Sequence, residues 1–196
     1  LFTLRIGLVG VGHLGKIHLK CLLKTKFEFA GFFDPDLNTR KIIEETHDIK
    51  AYESLEALIE AVDCLDIVSP TTNHFDIAKT AIIKGKHLFI EKPLTETTDQ
   101  AKELVSLAAI HQVKVQVGHV ERYNPAIRSL SNVQFRPKFI EGHRLAVFNP
   151  RGTDVSVVLD LMIHDIDIVL SMIKDEVKDV RANGVCIVSK TPDICN

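Results

Sequence analysis

A short apolar run over residues 6–9 is followed at once by Gly10-Val11-Gly12-His13-Leu14-Gly15 and then by an amphipathic stretch. Three glycines at that spacing, between a strand and a helix, leave few folds open. Gly10 permits a tight turn, Gly12 lets backbone approach a ligand with no side chain between, and Gly15 lets the helix lie close on the strand. The helix then offers its free N–H groups to an anion. This layout suits the pyrophosphate of a dinucleotide, with Gly10, Gly12, His13, Leu14 and Gly15 as cofactor-binding residues. Taken alone, the string also occurs at ordinary strand-to-helix turns. Gly10 to Lys16 fits the opening of a triphosphate-binding loop as well, but Ile17 lacks the hydroxyl such a loop uses to hold magnesium.

A second apolar run, over 27–33, ends at Asp34. That is roughly the twenty-residue distance at which a carboxylate takes hydrogen bonds from the adenosine ribose hydroxyls. A carboxylate there repels a 2′-phosphate, so Asp34 favours NAD over NADP. Arg40 is the counter-signal: an arginine just beyond such a strand accepts that phosphate, or is simply an exposed helix charge. Asp34-Pro35-Asp36 also reads as a turn with a helix cap.

The pattern then repeats. Helices are expected over 37–46, 54–62, 73–84 and 97–111, and strands over 65–69, 87–91 and 114–117. Strands alternating with helices mean an α/β fold with a doubly wound parallel sheet. Thr97 with Gln100 fits a capping box, and Gly85 fits a helix stop. After Gly118 the style changes to a short helix over 123–130, a long β segment over 135–148, a helix over 157–173 and a strand over 177–188. The expected organisation is a Rossmann domain over 1–118 followed by an incomplete α+β domain over 119–196. A lone helix with two strands leaves sheet edges unpaired, so a fragment of something longer is expected.

Composition narrows the partners. With 45% hydrophobic and 26% charged residues, the chain has material for one full domain and part of another. A net charge of -2 without a Lys/Arg stripe leaves no footprint for nucleic acid or an anionic membrane. No apolar run reaches the roughly 18 residues of a spanning helix, and no signal peptide is recognisable. Cys21, Cys64, Cys186 and Cys195 form no Cys-x-x-Cys pair. Reduced, mainly buried thiols of a cytoplasmic protein are expected.

Ligands of open parallel sheets sit beyond the C-terminal strand ends, so polar residues there are the candidates. Ser69-Pro70-Thr71-Thr72-Asn73-His74 follows one strand; Pro70, Thr71, Thr72 and His74 line the nicotinamide half of a cofactor or form a capped turn. Glu91-Lys92-Pro93 follows another. A lysine at a strand end, with a proline behind it, is held rather than left to solvent. Asp160 and His164, spaced i, i+4, project from one helix face, and a histidine bonded to a carboxylate has the fixed tautomer a general base needs. Asp167 lies on roughly the same face. The pair also suits a core contact or, with a third ligand that is not evident, a metal; no metal is expected. The remaining histidines, His18 among them, show no pattern.

With Gly10 to Gly15, Asp34, Glu91-Lys92-Pro93 and Asp160-x-x-x-His164 in this order, the chain resembles the Gfo/Idh/MocA family of sugar and cyclitol oxidoreductases over nearly its whole length. Residues 118–125 and 154–167 resemble the UDP-N-acetylglucosamine 3-dehydrogenase branch of that family. The resemblance implies NAD-dependent oxidation of a secondary hydroxyl on a sugar or nucleotide sugar. Lys92, Asp160 and His164 are then catalytic, Glu91 and Lys92 also touch the cofactor, and Arg122, Tyr123 and Asn124 at the domain junction either join Asp160 and His164 around the substrate or simply start a helix. It implies as well a second-domain sheet that covers the active site and joins subunits into a homo-oligomer. Whether Lys92 or His164 accepts the proton stays open. So do two other readings: a non-catalytic NAD(H)-binding sensor or assembly subunit, and the same chemistry on a free sugar, inositol or other polyol.

Overall fold

The computed structural model describes residues 3–130, 133, 136–146, 155–173 and 175–196. These divide into two compact units, Leu1–Gly118 and His119–Asn196.

The first unit alternates strand and helix: β1 (Arg5–Val9), α1 (His13–Leu22), β2 (Glu28–Phe33), α2 (Leu37–His47), α3 (Leu55–Ala61), β3 (Cys64–Ile67), α4 (Thr71–Ile83), β4 (His87–Ile90), α5 (Thr98–Ile110) and β5 (Val115–Val117). The strands form one parallel sheet in the order β2-β1-β3-β4-β5. Both faces are covered by helices, which is why β1 and β3 are buried nearly throughout. On one face Leu58, Ile59, Leu65, Ile82 and Leu104 pack into a core. On the other, Leu8, Leu19, Phe32 and Ile43 do the same.

Register aligns the strand ends. Val9 lies opposite Ile67, Ile67 opposite Ile90, and Ile90 opposite Val117. The residues that follow, Gly10, Val68, Glu91 and Gly118, therefore share one edge of the sheet. The order of strand addition reverses between β1 and β3, the switch point at which parallel sheets open a crevice.

The second unit holds a 3₁₀ turn (Val120–Tyr123), a short α6 (Pro125–Arg128), a π-helical turn (Val158–Met162) that runs into α7 (Ile163–Met172), and a small antiparallel pair, β6 (Gly184–Val185) with β7 (Ile194–Cys195). Three expectations need correction here. The long β segment over 135–148 is absent from its described part, 136–146, which carries no strand. The strand over 177–188 shrinks to Gly184–Val185. The helix over 157–173 opens with the π turn instead of a regular α turn. Apolar residues are present in both stretches, but a strand also needs a neighbour for its backbone hydrogen bonds. Val177, Val180 and Val188 are accordingly exposed. The cysteines are free, but none is buried: Cys21 and Cys186 are exposed, Cys64 and Cys195 half-buried.

Candidate active site

Helix ends single out one place on the first unit. Asp36 caps α2 by accepting from the N–H groups of Asn38 and Thr39, Ser54 caps α3 through Ala57, and Thr97 and Gln100 cap α5 reciprocally. By contrast, α1 and α4 begin at Gly12 and Pro70 with no side-chain cap and no acidic residue in the first turn. These two helices follow the neighbouring strands β1 and β3. The first-turn N–H groups of α1, with no side-chain cap, therefore suit an anion at the switch point.

The glycine loop is shaped for that anion. Gly10 has φ +90° and its N–H donates to the Phe33 carbonyl at 2.9 Å. At Gly15 an added Cβ would overlap the Gly10 carbonyl, so α1 lies against the loop as only glycine allows. At Gly12 an added Cβ would meet nothing within 4 Å. That open space, over an uncapped helix end, fits a pyrophosphate. His13 and Leu14 are exposed at its rim.

Asp34 closes the loop from the side. Its Oδ2 accepts from the Val11 N–H at 2.9 Å and its Oδ1 from the Asp36 N–H at 3.0 Å. Arg40 is turned elsewhere: its guanidinium donates to the carbonyls of Tyr52 and Glu53 at 2.9 and 3.0 Å and sits over the Phe33 ring.

Beyond β3, Thr71 is buried while Pro70 and Thr72 are exposed at the head of α4. His74 is buried, with Nδ1 2.9 Å from the Pro93 carbonyl oxygen and Nε2 2.9 Å from that of Ser69. Its ring ties the loop after β3 to the turn after β4. Lys92 is half-buried in that turn, and the Lys92–Pro93 peptide is cis.

Glu91 is buried and meets a residue the sequence did not single out. His18 on α1 places Nδ1 2.9 Å from Asp66 Oδ2 and Nε2 3.2 Å from Glu91 Oε1. Burial works against a charged ring there, but the hydrogen bonds to Asp66 and Glu91 outweigh it and push the His18 pKa up to about 10. Burial raises Asp66. The signal for this cluster was Asp66 itself, a carboxylate inside the buried strand Leu65-Asp66-Ile67, which demands a partner.

In the second unit Asp160 lies in the π turn and His164 in the first turn of α7, both half-buried. Asp167 pairs bidentately with Arg122 at 2.7 and 2.6 Å, and that hydrogen bonding holds its pKa down. Arg144 does the same for Asp165. Asn124 caps α6 by accepting from the Ala126 N–H, and Tyr123 is exposed. Among the described residues no three His, Cys, Asp or Glu side chains gather as a metal site, and no helix is long and apolar enough to cross a membrane.

A parallel sheet with an uncapped, glycine-lined phosphate cradle at its switch point defines the first unit as a dinucleotide-binding Rossmann domain. The model of an oxidoreductase family with an NAD-binding Rossmann fold matches residues 4–119, and the chain belongs to this Gfo/Idh/MocA family. It is 38% identical over 192 residues to a UDP-N-acetylglucosamine 3-dehydrogenase of Acidithiobacillus ferrooxidans, covering 97% of this chain and 61% of that protein. A solved structure of the UDP-N-acetylglucosamine 3-dehydrogenase from that organism superposes over 100% of this chain and 65% of its own, with a TM-score of 0.92 and 37% identity. An inositol 2-dehydrogenase of Serratia proteamaculans is 28% identical over 91% of this chain and 57% of its own length. The chain thus spans about three fifths of the length of the relatives it matches.

Proposed function

We propose that this chain carries out NAD-dependent oxidation of a secondary hydroxyl on a nucleotide sugar of the UDP-N-acetylglucosamine type. The observation that carries the reading is the 38% identity to a dehydrogenase of that substrate across 97% of the chain, both units included. NAD, when bound, supplies the hydride acceptor. The backbone of Gly10–Gly15 and the first turn of α1 hold its pyrophosphate, and Asp34 takes the adenosine ribose hydroxyls. Arg40, committed to two carbonyls, gives no support to a 2′-phosphate.

His164 takes the hydroxyl proton, Asp160 orients the imidazole, and Lys92 hydrogen-bonds the hydroxyl oxygen as negative charge develops there. Arg122, fixed by Asp167, and the exposed Tyr123 are assigned to substrate binding. Asn124 is given to the same surface through its place at the start of α6. Self-association through the second unit, supported by its exposed Val177, Val180 and Val188, and a cytoplasmic location belong to the same proposal.

The test is a fluorescence titration with NADH and NADPH, followed by a panel of UDP-sugars and polyols watched through reduced-nicotinamide absorbance. NADH binding with turnover of a UDP-sugar is the expected result. Turnover of inositol alone would reassign the substrate, and binding with no turnover would leave a cofactor sensor.

A further inference from the structure

The proposed catalysis gives His18 no part, yet His18 is held at both ring nitrogens by carboxylates. It leaves α1 one turn after Gly15 and reaches two carboxylates from two strands, Asp66 of β3 and Glu91 at the end of β4. All three side chains are largely shielded from solvent. The Phe89 ring of β4 lies 6.0 Å from the imidazole centroid, tilted against it. Asp66 and Glu91 are the charged groups that face the ring among the described residues.

Each carboxylate takes a different ring nitrogen, and a carboxylate accepts but does not donate when ionised. An imidazole answers both only with a proton on each nitrogen. The ring is therefore an imidazolium, in keeping with its strongly raised pKa. Left neutral, the site would bury two carboxylates with one donor between them, an arrangement that costs more than it returns.

Glu91 carries this contact onward. Its Oε2 accepts from the Lys92 backbone N–H at 3.2 Å, while Oε1 faces His18. The Cα of Gly118 also closes on this carboxylate: a Cβ there would stand 2.7 Å from Oε1, the oxygen that faces His18. Glu91 is thus held by the cofactor-loop helix and crowded by the exit of β5. The residue after it is Lys92.

We propose that His18 is a positioning residue for the dehydrogenase reaction: bridging Asp66 and Glu91, it locks the phosphate-loop helix to the Glu91-Lys92 turn and thereby sets the Lys92 backbone. The inference rests on the dehydrogenase reading for its catalytic consequence, but its geometry does not.

The test uses the ¹⁵N-labelled chain and its His18→Gln and Glu91→Gln variants. NMR follows the His18 ring nitrogens and the Lys92 amide, NADH fluorescence gives cofactor affinity, and turnover of a UDP-sugar gives kcat and KM. Expected results are a wild-type His18 ring that keeps both protons to about pH 8, and a Lys92 amide displaced in both variants. In His18→Gln, NADH affinity and sugar KM stay within about threefold while kcat falls about tenfold or more. A His18 ring that titrates between about pH 6 and 7 in the wild type overturns the proposal. So does a lowered melting temperature with the Lys92 amide and kcat unchanged. If the wild type turns over no sugar, the dehydrogenase reading fails alone, and the ring and amide signals still decide whether His18 positions Lys92.

Discussion

Gly12 and Gly15 sit three residues apart in one loop, yet the structure assigns them opposite tasks, and substituting each separately exposes the difference. At Gly15 an added Cβ would overlap the Gly10 carbonyl oxygen and lie 2.8 Å from the carbonyl carbon. Ordinary contact begins at 3.4 Å and the oxygen is nearer still than the carbon, so α1 would have to retreat by about 1 Å or more from backbone that cannot yield. Alanine gains up to about 1 kcal/mol of helix propensity over glycine, but overpacking against backbone costs about 1–3 kcal/mol or more. A net loss of about 2 kcal/mol is expected for Gly15→Ala. At about 2–4 °C per kcal/mol for a chain of this size, the melting temperature should fall by about 4–8 °C. Gly12→Ser meets open space and supplies the cap that α1 lacks, so the fold should be as stable as wild type or slightly more so. Its hydroxyl, however, takes a helix N–H that the pyrophosphate needs and intrudes where the phosphates lie. NADH affinity should drop about tenfold or more, near 1.4 kcal/mol. Differential scanning fluorimetry of the cofactor-free proteins and NADH fluorescence titration read the two effects separately. A Gly15→Ala protein that melts within about 1 °C of wild type, or a Gly12→Ser protein that binds NADH unchanged, would refute the reasoning.

Three further outcomes are expected. His164→Ala and Lys92→Ala should each cut sugar turnover about a hundredfold or more, with NADH affinity nearly intact in His164→Ala; unchanged turnover in both would remove them from the mechanism. His18 has its pKa raised from 6.5 to about 10 on folding, so its stabilising contribution is whole below about pH 6.5 and declines as pH rises toward 10. Wild-type melting temperature should fall more steeply than that of His18→Gln across that window, and parallel curves would contradict the ion cluster. Asp34→Ser should lose about tenfold in NADH affinity with no matching gain for NADPH, because Arg40 stays with Tyr52 and Glu53; a strong gain for NADPH in the same titration would show that Arg40 swings free.

Much of the first unit was legible because its signals are local. The apolar run before Gly10, the Asp36, Ser54 and Thr97 caps and the Gly85 stop each dictate the backbone within a few residues. The parallel order then follows from alternation. The second unit resisted the same treatment, since the apolar residues at 177, 180 and 188 follow no strict period and name no partner, and pairing depends on backbone elsewhere. His18 was passed over for a related reason: its meaning lies in Asp66 and Glu91, 48 and 73 positions away, which only the closed sheet brings to α1. The π turn under Asp160 leaves no trace in a helical period either, because one wider turn barely disturbs the apolar spacing.

Asp34 ties cofactor choice to architecture. The carboxylate expected to meet the adenosine ribose also holds Val11 at the neck of the glycine loop and Asp36 at the start of the next helix. An altered diet of cofactor is therefore not a single step away for this lineage. Any change that welcomes a phosphate at that corner also slackens the loop meant to receive the rest of the molecule, and Arg40 is already employed bracing the chain ahead of α3. A successful switch would need a substitute brace and a newly recruited positive charge together, so intermediates along the way would bind both nucleotides poorly. Preference here is entrenched by shared use of one side chain.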